Sequence, residues 1–176
     1  HEEGADVTLA IRNLLKARGR LKGEKTEREI LRSVNWTEAE RGEESRYKRI
    51  GKGMDEYFIQ LHQRAGDLPK EFRGRILTAE ADKLWVLDDK GFSRTLDLKR
   101  NAGKFDVFKS EKLELMPGDR LQITRNSKSV EGKPLHNGTL HTIESIDAAG
   151  HVSLGKDMTL PEDAMHIKHG YCTTSH

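Results

Sequence analysis

The constraint that weighs most on this chain is a change of period near Tyr57. Beyond it, apolar and polar residues alternate in short runs: Tyr57-Phe58-Ile59-Gln60-Leu61-His62, Arg73-Gly74-Arg75-Ile76-Leu77, Lys83-Leu84-Trp85-Val86-Leu87, Phe92-Ser93-Arg94-Thr95-Leu96 and Phe105-Asp106-Val107-Phe108. A period of two puts alternate side chains on opposite faces, so these runs predict strands with one covered face. Asp88-Asp89-Lys90-Gly91 predicts a hairpin turn, with glycine where positive φ is needed. A second β set begins at Pro117-Gly118-Asp119, with strands expected near 120–125, 138–147, 150–154 and 165–172 and turns at Asn137-Gly138 and Ala149-Gly150. Short strands at this spacing predict one or two small barrels, about 55–115 and 117–167.

The preceding part reads differently. Val7, Ala10, Ile11, Leu14 and Leu15 recur at helical spacing, with Asp6, Arg12, Asn13 and Lys16 opposite, which predicts an amphipathic helix over 5–18 stopped by Gly19. Ile30, Val34 and Trp36 give a strand signal. Thr37-Glu38-Ala39-Glu40 is a capping box, whose hydroxyl and carboxylate satisfy each other's backbone N–H groups at the start of a short helix running to about Arg46. The fold class is therefore mainly β with an N-terminal α part.

Only 34% of the 176 residues are hydrophobic and 34% are charged, so cores should be thin. The 31 basic and 29 acidic residues leave a net charge of +2, too balanced for a dedicated nucleic-acid binder with a basic stripe. Any DNA contact must be local. The single cysteine, Cys172, excludes a disulfide within the chain and suits a reducing cytoplasm. No apolar run approaches the roughly 18 residues of a membrane span, so no membrane insertion is expected.

The tail Gly170-Tyr171-Cys172-Thr173-Thr174-Ser175-His176 resembles a strand of superfamily 1 helicases of the RecD-like branch, Gly-Tyr-x-x-Thr-x-His, which there runs into a DNA-gripping Ser-Gln-Gly. Upstream, Pro117-Gly118-Asp119-Arg120-Leu121-Gln122-Ile123-Thr124-Arg125-Asn126, then Asn137-Gly138-Thr139-Leu140-His141-Thr142-Ile143, then residues 160–171 follow the order of the helicase part of conjugative relaxases of the TrwC/TraI (MobF) type. His1-Glu2-Glu3-Gly4 with Val7-Thr8 and Ile11-Arg12, and Asn35-Trp36-Thr37-Glu38-Ala39-Glu40-Arg41, are similar to landmarks of that family's second RecA-like domain. The resemblance implies Src-homology-3-like small barrels, residues 49–167, inserted in a RecA-like α/β helicase domain that contributes residues 1–48 and a return strand, residues 168–176. It also implies a fragment of a larger motor that translocates along single-stranded DNA during plasmid transfer, with ATP and magnesium expected for the parent only. Implied partners are single-stranded DNA, the rest of the parent helicase and a type IV secretion coupling protein.

Thr124, Arg125 and Asn126 at a strand end, with Lys128 and Lys133 in the following loop, form the first candidate DNA contact, since they can donate to phosphate oxygens without reading sequence. Tyr171, Thr173, Ser175 and His176 form the second, through the resemblance. Trp85, Phe92 and Tyr57 are expected in the core. Gly19-Arg20-Leu21-Lys22-Gly23-Glu24-Lys25-Thr26 looks superficially like a phosphate-binding loop, but Glu24 intrudes before the lysine and a helix precedes it. Alternation along a strand turns His169 away from His166, Cys172 and His176, so no metal is expected there, and nothing nearby activates Cys172. No matched acid, base and nucleophile set marks the fragment as an enzyme. The alternative is a free-standing small-barrel adaptor for a protein or RNA partner.

Overall fold

In a computed structural model, which describes residues 2–171, the chain is mainly β with an N-terminal helix and divides into two compact units. One comprises Leu31–Glu111, the other His1–Ile30 with Lys112–His176. These limits do not follow the expected division at residue 48, because segment 1–48 is shared between the units.

Helix α1 (Glu2–Ala17) forms where predicted, and Gly19 ends it at φ +70°. The buried face is not the predicted one. Arg12 is buried, whereas Val7, Leu9 and Leu14 are about half exposed (49%, 56% and 50%). The physical reason is a carboxylate: Arg12 reaches the fully buried Asp119, and a buried charge left alone would cost more than exposed methyl groups do. Strand β1 (Thr26–Ser33) begins earlier than Ile30 and stops short of Trp36.

In the unit Leu31–Glu111, Thr37 caps α2 (Glu38–Arg41): its hydroxyl accepts from the Glu40 N–H at 3.2 Å, and the Glu40 carboxylate accepts from the Thr37 N–H at 2.9 Å. α3 (Glu44–Lys48) and a 3-10 turn (Gly51–Glu56) lead into β2 (Tyr57–Leu61), β3 (Arg73–Glu80), β4 (Lys83–Leu87) and β5 (Ser93–Asp97). Asp88 closes the β4–β5 turn by accepting the N–H groups of Lys90 and Phe92, with Gly91 at φ +85° as the turn residues predicted. α4 (Leu98–Asn101) follows, and β6 (Phe105–Leu115) returns to complete the sheet order β1-β6-β2-β3-β4-β5, with β1 and β6 continuing into the other unit. Ile59, Leu61, Ile76, Leu84, Val86, Leu96, Phe105 and Val107 form its buried face around Tyr47, whose hydroxyl donates to the Arg41 carbonyl at 2.6 Å.

This sheet is open, which corrects the expected closed barrel. Asp97 ends β5 by accepting the Arg100 N–H and starting α4, and the chain then re-enters on the far side of β2, so β5 and β1 remain outer strands. At Leu77–Thr78 the register of β3 against β4 shifts by one residue, a bulge that sets both residues opposite Trp85.

In the other unit, β7 (Arg120–Ile123) is central to a second open sheet. The hairpin β8 (Ser127–Lys128) with β9 (Pro134–Leu135) had no counterpart in the sequence reading, and the expected strand 138–147 is broken into β10 (Leu140–Thr142) and β11 (Ser145–Ile146). β12 (Val152–Ser153), β13 (Thr159–Leu160) and β14 (Ile167–His169) complete the set. β10 and β14 flank β7, and β12 lies between β11 and β13. Ile30, Leu115, Leu121, Ile123, Leu135, Ile143, Val152, Leu160 and Ile167 make the core.

Gly118 has φ +92°, and a Cβ there would lie 2.4 Å from the Arg20 carbonyl oxygen, whereas Gly132, at φ +85°, faces open space. Gly132→Ala should cost only backbone strain, about 1–3 kcal/mol. Gly118→Ala should cost clearly more in urea denaturation; equal losses would remove the close approach from the account.

His151 Nδ1 meets Asp147 at 2.8 Å and its Nε2 meets Glu162 at 2.9 Å. The hydrogen bond to Asp147, that residue's charge and Glu162 raise the imidazole pKa above its ordinary value. A raised folded-state pKa means stabilisation that is complete below the ordinary value near 6.5 and lost as pH rises through the higher one. The melting-temperature gap between wild type and His151→Gln should therefore be widest below the ordinary imidazole value of 6.5 and shrink as the pH rises above it. A gap independent of pH would show that the clamp does not depend on the imidazolium.

Candidate nucleic-acid interface

Thr124, Arg125 and Asn126 follow the end of β7, as expected, but they are tied into the fold. The Thr124 N–H donates to the His166 carbonyl at 3.0 Å, and the Asn126 Oδ1 accepts the Asn137 N–H at 2.7 Å. Arg125 is half-buried and engaged.

Lys128 and Lys133 are exposed on the β8–β9 hairpin, with Lys128 opposite Pro134. The hairpin is held from several sides. Ser129 donates its N–H to the Lys133 carbonyl and accepts the Lys133 N–H on its hydroxyl, and the Val130 N–H reaches the Thr159 carbonyl. Glu131 accepts both the N–H and the hydroxyl of Thr159, at 2.7 and 2.8 Å, and these bonds pull its carboxyl pKa down. The Lys133 ammonium donates to the Lys156 carbonyl at 2.5 Å. Lys156, itself exposed, is thereby brought to the hairpin, and the sequence carried no signal for it because 23 residues separate the two. Cations displayed on an anchored hairpin can hold phosphate oxygens in place without selecting a base.

The second candidate set divides. Thr173, Ser175 and His176, with Cys172, lie outside the described residues. Tyr171 is committed to the fold: its hydroxyl donates to Asp119 Oδ1 at 2.6 Å and accepts the Arg120 N–H at 3.0 Å. Burial and the bond to Asp119 push its pKa upward.

Asp119 is the hub. Arg12 Nε and Nη2 grip its two oxygens at 3.0 and 2.9 Å, and the Met116 N–H adds a bond at 2.9 Å. Burial works against the charged Arg12, yet the Asp119 contacts raise its pKa overall. Glu114 accepts from Arg12 and Lys16, each at 3.3 Å; burial opposes its ionisation, but these cations draw its pKa down. His169 Nε2 donates to the Glu114 carbonyl at 2.7 Å, which places a hydrogen on that nitrogen, and burial lowers its pKa.

The aromatic residues correct the sequence reading in part. Trp85 and Phe92 are exposed, at 40% and 65%, while Tyr57 is half-buried against the core, with Lys109 5.9 Å from its ring centroid. The segment Gly19–Thr26 runs from helix to strand, the reverse of a phosphate-binding loop, so its residues do not fit a nucleotide. No group of three or more His, Cys, Asp or Glu among the described residues could hold a metal ion, and no described helix is long and apolar enough to cross a membrane.

Comparison with protein-family models and with curated proteins gives no match. The likeness to the helicase family therefore rests on the motif residues themselves.

Removing the Asp119 charge should strand Arg12. Asp119→Asn is expected to cost about 3–5 kcal/mol and Tyr171→Phe about 1.5 kcal/mol. In a double-mutant cycle by urea denaturation, Arg12→Met should be far less harmful in the Asp119→Asn background than alone. Additive losses would mean that the pair is not coupled.

Proposed function

We propose that this chain is a non-catalytic part of a conjugative relaxase-helicase of the TrwC/TraI type, an insertion with adjoining pieces of the second RecA-like domain, which guides single-stranded DNA or relays motor movement. The observation that carries this reading is the anchored hairpin with exposed Lys128 and Lys133: its backbone is fixed by Ser129, the Lys133 ammonium is held by the Lys156 carbonyl, and both cations suit phosphates of any sequence. The meeting of α1 and Tyr171 at Asp119 supports an insertion, because the segments flanking the β part are joined by one carboxylate. ATP and magnesium would belong to the parent's motor motifs, and the parent would act in the cytoplasm.

A second reading, a surface for a protein such as a secretion coupling protein, is favoured by the exposed Trp85 and Leu77 on one sheet face.

Binding to a fluorescent oligothymidine should be weak and salt-sensitive. With about two phosphates neutralised at roughly −0.7 per phosphate, tripling the salt should weaken it about fivefold. Lys128→Glu with Lys133→Glu should abolish binding while leaving the melting temperature within a few degrees. An unchanged affinity and salt slope in that variant would refute the DNA reading and leave the protein-partner one.

A further inference from the structure

We infer that the outer edge of β5 is a docking site for an extended acidic peptide, which would add a strand to the sheet. This surface belongs to the unit Leu31–Glu111 and does not depend on the DNA reading.

The register sets the backbone geometry. Leu98 N–H bonds the Asp82 carbonyl and Asp88 N–H bonds the Phe92 carbonyl, and β5 pairs with β4 continuously between these points. Bonded pairs in an antiparallel ladder recur every second residue, so Arg94 and Leu96 address β4 while Ser93, Thr95 and Asp97 turn their N–H and C=O groups outward. The Asp97 carbonyl is occupied by the Asn101 side-chain amide at 2.8 Å. Ser93 and Thr95 are left with backbone groups directed at the open edge, since β5 is the last strand of the sheet. Such an edge is a template for another strand unless it is blocked.

A cleft of about 340 Å³ lies along this edge, lined among others by Gly66, Thr95, Leu96, Asp97, Arg100 and Lys104. Its charges are unevenly used. Asp97 caps α4 by accepting the Arg100 N–H, and Asp67, across the cleft, pairs with Arg94 at 3.1 Å. Neither Arg100 nor Lys104 has a carboxylate partner among the described residues. The cleft thus combines free main-chain groups with two uncompensated cations, a complement to an extended chain that carries carboxylates. A basic or proline-rich segment matches neither feature.

The probe is a fluorescein-labelled peptide of five Val-Glu repeats, with five Val-Lys repeats as control, titrated against the whole chain by fluorescence anisotropy. Amide hydrogen exchange is read in parallel. Proline at an outward-facing edge position removes a donor that the sheet does not use, so Thr95→Pro should keep the fold. The expected result is binding of the Val-Glu peptide alone, at least tenfold slower exchange of the Thr95 amide in its presence, and at least tenfold weaker binding both in Thr95→Pro and in Arg100→Ala with Lys104→Ala. If Thr95→Pro loses the fold, the exchange measurement on the unaltered chain still decides. The inference is overturned by equal binding of the two peptides, by no detectable binding at millimolar peptide, by an unaltered Thr95 exchange rate, or by undiminished affinity in the Arg100/Lys104 variant. Protection of Thr95 in a dimer without peptide would assign the edge to a second copy and overturn it as well.

Discussion

A buried carboxylate organises one unit of this protein. Asp119 has no access to water, and an ionised group in that position needs partners on every side. It obtains them from three separate stretches: the guanidinium of α1, the N–H of its own turn and the hydroxyl of Tyr171 just beyond β14. Each fixes something else. The Arg12 contact rotates α1 so that its cationic face is inward, the Met116 bond shapes the Pro117-Gly118-Asp119 turn, and the Tyr171 bond holds the end of β14 to the start of β7. The hairpin bearing Lys128 and Lys133 grows from the other end of β7, so the candidate DNA contact is positioned by a strand that this network anchors.

In the unit Leu31–Glu111 the organising constraint is apolar. Alternation along β2 to β6 places one row of aliphatic side chains against Tyr47 and leaves the opposite face with Trp85, Leu77 and Arg75. Arg75 lies over the Phe58 ring at 5.4 Å, which covers part of that face with a cation. The bulge at Leu77 adds a residue to it. Under the proposed function the basic hairpin is the DNA contact, and this face is the surface of the second, protein-partner reading.

Local signals were legible in the sequence. The Thr37 capping box and the Asp88–Gly91 turn each depend on residues within four positions, and both formed as read. The strands from Tyr57 to Phe108 were legible because short apolar or alternating runs are separated there by turn residues. The buried side of α1 was not, since Arg12 finds its partner 107 residues away and helical periodicity carries no information about that carboxylate. Closure of the sheet was misread for a related reason: alternation identifies strands, but only the re-entry of β6 between β1 and β2 decides that the edges stay apart. Trp85 shows a third limit. Period two says which residues share a face and nothing about whether that face is covered. The β8–β9 hairpin, with two residues per strand, offers no period at all.

The distance along the chain between Arg12 and Asp119 also has a consequence in time. During synthesis at roughly 5–20 residues per second, α1 is complete about 5–20 s before its carboxylate exists. For that interval Arg12 lacks its carboxylate, and a helix of this length is marginal on its own local bonds. Helix α1 therefore gains its Arg12 anchor only after the turn that carries Asp119 has been made.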